Sequence, residues 1–220
     1  MFAKSLKFLD DLQKHNDKVW FDAHRERYER DVKGPSVAFV EMFAPRLAAM
    51  SPHLQAIASG KGSSISRIFR DTRFSSNKDP YKDWLGFHFT HGSRKNGPGL
   101  HLHVSRADSG VGVGVWMLEP ADLKAVRDAM LDKKRGWGKV RSALDEHGFH
   151  FIGGEPLKNV PKGYPPDYPF AEDLKRKNSA AGRSIDVTLD PEELVDQVEA
   201  AFYDGWPLMK FLCATMDLPL

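Results

Sequence analysis

The chain has 220 residues, 41% apolar and 28% charged, and a formal net charge of +2. That composition excludes a disordered chain and is enough for one domain with its own core. No apolar run reaches the roughly 18 residues a membrane span needs, and the single Cys213 excludes an intrachain disulfide.

Residues 2–14 read as a first helix, with Leu6, Leu9 and Leu12 on one stripe. Its lysines and aspartates argue for an amphipathic helix rather than a signal peptide. Asn16 is the expected N-cap of a second helix over residues 17–32, which Gly34-Pro35 should break. A third helix is predicted over residues 36–50, with Pro45 inside it. Residues 64–71 read as a strand around which the sheet is built, because β-branched and aromatic residues replace the helical period. Three further strands follow at 85–90, 100–106 and 111–118, joined by short turns as in an antiparallel meander. In the second of these, His101, His103 and Ser105 share one face, opposite Leu102 and Val104. In the third, Gly110, Gly112 and Gly114 alternate with valine, leaving one face bare, either for close packing or for a ligand.

Helices are expected over residues 120–134 and 137–146, then a brief strand at 149–152. Residues 155–170 carry five prolines and should be extended. A short helix at 171–177 and a strand at 184–189 come next. Asp190-Pro191-Glu192-Glu193 starts a helix that ends near Gly205, and residues 206–218 form the last one. Cys213 lies in that apolar helix and should be a buried, inert thiol. The fold class is α+β: a single domain with a largely antiparallel sheet, flanked by N-terminal, middle and C-terminal helices. A cytoplasmic home fits the cysteine usage.

Positive charge is concentrated. Residues 61–82 hold six bases against two acids, and residues 157–183 hold six against three, so the remainder is net acidic. Within the first stretch, Arg67, Arg70, Arg73, Lys78 and Lys82 are interleaved with aromatic residues. Arginine presents a planar fork suited to carboxylate and phosphate. These five are candidate binders of a small anionic or phosphorylated molecule, with Asp71 as orienter and Tyr81 as hydroxyl donor. Lys162, Tyr164 and Lys177 are the donors expected from the second stretch. The competing reading makes the stretch a structural ion-pair network in a binding or scaffold module, since buried arginine must pair.

His101 and His103 are candidate acid/base groups with Asp71, and the basis of a third reading, a metal-dependent enzyme. Two imidazoles fall short of the three or four ligands a metal requires. No P-loop, dinucleotide fingerprint, G-x-S-x-G or H-E-x-x-H occurs, so no cofactor is expected. The modest net charge and missing motifs argue against nucleic acid. Trp84, Trp116 and Trp137 are expected in the core.

The motifs R-I-F-R-D-T-R-F-S-S-N-K-D-P-Y-K (67–82), G-V-G-V-W (112–116) followed by Arg127, and P-K-G-Y-P-P-D-Y-P (161–169) followed by L-K-R-K (174–177) carry a resemblance. So does N-D-K-V-W-F (16–21) with Tyr28. The chain resembles a widespread, mainly bacterial family, domain of unknown function 2461, over almost its whole length. The resemblance implies one cytoplasmic α+β domain and supplies no reaction. One departure is visible: Asn77 precedes Lys78 where the family usually shows an acid.

Overall fold

The computed structural model describes residues 1–94 and 96–220. Helix α1 (Ala3–Lys14) buries Leu6, Phe8, Leu9 and Leu12. Asp17, not Asn16, caps α2 (Lys18–Ala23), accepting from the Trp20 amide at 2.9 Å. Asn16 instead clamps the Tyr81 backbone, donating to its carbonyl and accepting from its amide, both at 3.0 Å.

Gly34-Pro35 does not break the helix. After α3 (Arg25–Tyr28) a π-helical turn, Glu29–Lys33, runs directly into α4 (Gly34–Met50). The widened turn, closed by the Gly34 amide on the Glu29 carbonyl, places Pro35 at a position that needs no donor. The Asp31 carbonyl, four residues before the proline, accepts from the fully buried Ser5 hydroxyl at 2.6 Å. Ser5→Ala orphans that carbonyl. It is expected to cost about 1–3 kcal/mol in urea unfolding, and an unchanged midpoint would contradict this assignment.

The sheet has five antiparallel strands in the order β1-β2-β3-β5-β4: β1 (Leu85–Thr90), β2 (Gly99–Val104), β3 (Gly110–Val115), β4 (His150–Phe151) and β5 (Ser179–Ser184). With the helices this gives the expected α+β class. Residues 64–71 are not a sheet strand. They touch the outer edge of β1 through an isolated Ile65–Phe87 bridge and then bridge Phe69 to Tyr81. The sheet therefore starts at β1, and this segment shields its edge. The mixed charge and bulk on both of its faces leave no continuous apolar side to hold a ladder. The predicted strand at 184–189 also moves: β5 lies earlier, on Ser-Ala-Ala-Gly-Arg-Ser.

The remaining helices are α5 (Pro120–Leu131), α6 (Trp137–Glu146), α7 (Ala171–Leu174), α8 (Pro191–Asp204) and α9 (Trp206–Thr215). One sheet face carries Phe87, Phe89, Leu102, Val111 and Val113, all buried. Phe2 of the N-terminus and Phe39 of α4 pack on Phe87. Phe43 of α4 and Phe202 of α8 pack on Phe89. Gly205, between α8 and α9, sits against Val113. Full burial of each such side chain contributes about 1.5–3 kcal/mol. Helices thus cover this face, and the opposite face of β1, β2 and β3 opens outward. Among the described residues, no helix is long and apolar enough to cross a membrane.

Candidate functional site

The pleat fixes what stands on the open face. Strand register sets His88 opposite His101, His101 opposite Gly112, Gly112 opposite Gly182, and Gly182 opposite His150. One row across the sheet therefore reads His-His-Gly-Gly-His. The next row runs Thr90, Gly99, Gly114, Ala180. With no side chains rising from its middle, the floor sinks between its walls. A cavity of about 540 Å³ lies there, lined by Trp84, His88, His101, Gly112, Trp116 and Ile152 among others. A second, of about 360 Å³, shares His101, Gly112, Trp116 and Ile152 and continues over Gly182 to His150. Together they make a groove across the sheet within the range of ligand sites.

Trp116 is 60% exposed, and Trp84 is half-buried with its ring 5.1 Å from His103. Neither is the core residue expected, because each follows or precedes a strand on its open-face side. Trp137 does lie in the core, where its indole donates to Asp173 at 2.9 Å.

His101 stacks on His88, ring centroids 4.4 Å apart. Its Nδ1 lies 2.9 Å from the Phe87 carbonyl. A carbonyl only accepts, so Nδ1 carries the proton and Nε2 keeps its lone pair. Burial, with added repulsion from His88 and His103, lowers His101 to about 3. The His88 ring reaches solvent at its edge and meets Ser66 Oγ at 3.0 Å; burial and then Lys82 push it down as well. At neutral pH both rings are uncharged, and His101 presents a lone pair at Nε2. His103 lies 3.3 Å from Asp108. Among the described residues, no three His, Cys, Asp or Glu side chains converge as a metal centre needs.

The His101 shift has a consequence for stability. Its ordinary value is 6.5 and its folded value about 3, so on acidification the unfolded chain takes the proton first. The stability it contributes is present above pH 6.5 and is lost as pH falls toward 3. The loss reaches up to about 2 kcal/mol by pH 5. Urea unfolding of His101→Gln should show a shallower fall than the parent between pH 7 and 5; parallel curves would contradict the buried neutral ring.

The first basic stretch divides. Arg73, exposed, grips Asp71 with two hydrogen bonds of 2.9 and 2.7 Å, and these bonds hold the Asp71 carboxyl down at about 2. Half-buried Arg70 lies 4.0 Å from Asp79. Exposed Lys78 donates to the Thr72 carbonyl at 2.9 Å, tying its own loop. Tyr81 is buried and stacks on Phe21 at 4.2 Å, so its ring belongs to the core. Arg67 and Lys82 have no carboxylate partner among the described residues. The Lys82 ammonium sits 4.7 Å from the Trp84 ring centroid, at the groove wall. Burial, then Arg67, lowers its affinity for protons.

The second stretch leads into β5, on the far side of β2 and β3. Tyr164 donates to Asp128 of α5 at 2.9 Å, and Lys162 lines a separate cavity of about 370 Å³ with it. Lys177 lines a third, of about 420 Å³, behind Trp116. The cavities that residues of 157–183 line contain no residue of 61–82. The two basic stretches are thus not brought together in one pocket: β2 and β3 stand between β1, which follows the first, and β5, into which the second runs.

The model of a conserved hypothetical protein family, DUF2461, matches residues 4–211. The chain belongs to DUF2461. No curated protein and no solved structure matches it. The DUF2461 match spans β1 to β5 and therefore every wall of the groove.

Proposed function

We propose that this DUF2461 member is a cytoplasmic protein that binds a flat ligand with a negatively charged end in the groove on the open sheet face. What supports the reading is the floor bared to Gly112, Gly114 and Gly182 between the indoles of Trp84 and Trp116. A planar ring can lie directly on that backbone, as it could not on a surface of ordinary side chains. Lys82 beside Trp84, with Arg67 near it, supplies charge for a phosphate, sulfonate or carboxylate at the β1 end. His101 can accept a hydrogen bond at Nε2, and neither it nor His88 brings a competing anion. The anionic ligand expected from the sequence is retained. Its binders narrow to Arg67 and Lys82, while Arg73 and Asp71 serve their own loop.

Thermal-shift and calorimetric titration with aryl phosphates, sulfonates and carboxylates, each beside its uncharged parent, tests this. Anionic aryl compounds should raise the melting temperature. Lys82→Gln should weaken them by roughly 10- to 100-fold, the worth of a charge-assisted hydrogen bond. Equal binding of the uncharged parents, or no binding by any member of the panel, would overturn the proposal.

A further inference from the structure

On the helical side, remote from the groove, a cavity of about 850 Å³ opens between the start of α6 and the α8–α9 corner. Lys133, Lys134, Arg135, Lys139 and Lys210 all line it, and all five are exposed. No carboxylate lines it, and none of the five forms an ion pair among the described residues. The neighbouring Asp132 caps the Lys134 amide at 2.9 Å. Arg135 is held by the Ala214 carbonyl at 3.0 Å, which fixes the basic turn against α9.

Several cations elsewhere in this protein are matched by carboxylates. Arg46 meets Asp196 and Glu199, Arg94 meets Asp122, and Arg106 meets Asp10. Five unmatched cations around one concavity repel one another, and a net charge of only +2 makes that concentration local. The same cavity presents two aromatic rings, Tyr203 and Trp206, with centroids 6.3 Å apart. Tyr203 is 48% exposed. Cations that track phosphates, beside aromatic faces on which bases stack, are the two elements of a single-strand site.

We propose that this cavity binds single-stranded nucleic acid, with the lysines and Arg135 on the phosphates and Tyr203 and Trp206 against bases. The case against nucleic acid drawn from the sequence rested on the modest net charge and the missing motifs. It did not weigh the K-K-R-G-W-G-K run at 133–139, which only the fold brings to Lys210 and the two rings. The proposal is independent of the groove.

Fluorescence anisotropy of a labelled short oligothymidylate against the intact chain tests it. Binding should appear at low salt and weaken with a log–log slope of roughly −3.5, as five single-strand phosphate contacts require. Combined Lys133→Gln, Lys134→Gln, Lys139→Gln and Lys210→Gln should abolish binding at unchanged melting temperature, since all four side chains are exposed and none ties one element to another. Tyr203→Ala should cost roughly 5- to 100-fold in affinity, one base stack, and leave the salt slope alone. Lys158→Gln with Lys162→Gln, on another basic surface, should change nothing. Absence of binding at low salt, equal loss in that control pair, or capture by anionic phospholipid vesicles that the strand fails to displace would each overturn the proposal.

Discussion

Gly114→Ala is expected to destabilise the protein by at least about 3 kcal/mol, the largest effect of any single methyl added to the sheet. Gly114 has φ +120°, a region closed to residues with a Cβ. It pairs with Ala180 of β5, and an added Cβ would overlap the Ser179 carbonyl oxygen. That obstacle is backbone in a central ladder, so no rotamer change relieves it. Relief requires prising β3 from β5, which would break the pairing that joins the meander to the rest of the sheet. Urea unfolding measures the loss, and hydrogen exchange at Ala180 and Ala181 should locate it. A variant within about 1 kcal/mol of the parent would show that β3 and β5 do not pair in this register.

Gly112→Leu, two residues away on the same face, should do the opposite. An added Cβ there meets Ile152 Cδ1 at 3.5 Å, His101 Cβ at 3.7 Å and the Ala181 carbonyl oxygen at 3.8 Å, all ordinary contacts. The fold should accept it, even gain slightly, because glycine within a strand costs roughly 0.5–1 kcal/mol relative to alanine. The leucine would stand on the floor of the groove and take the place of a flat ligand. Affinity for any aryl anion bound by the parent should fall by roughly 100-fold or more, about 2.7 kcal/mol, while the melting temperature holds. Two glycines on one strand face thus separate architecture from binding. Retained affinity in a folded Gly112→Leu would place the ligand elsewhere.

Much of this arrangement was legible in the residues. Alternation placed His101 and His103 on one side of β2, and the Gly-Val repeat announced a bare face on β3. Both follow from the two-residue period of a strand, which needs no tertiary information. The helix starting at Pro191 and the α6 span were likewise set by local signals. What lay beyond local reading was the neighbour. β5 is written in serine, alanine and glycine, residues depleted in strands, and becomes one because β3 and β4 pair with it on both sides. Without β5 the floor ends at Gly112, and Trp116 has no groove to wall. Conversely, residues 64–71 have strand-like composition and fail to enter the sheet as a ladder, because propensity does not supply a second apolar face. The basic stretches were visible as charge. Whether they met depended on strand order, which put β2 and β3 between β1, beside the first stretch, and β5, at the end of the second.

The central claim is that the bared face of the sheet is a binding site. A crystallographic fragment screen on the unmodified chain tests it most directly, because it asks the whole surface at once. Fragments should accumulate over Gly112 between Trp84 and Trp116, with the anionic members turned toward Lys82. Fragments that bind elsewhere and leave that floor empty would contradict it.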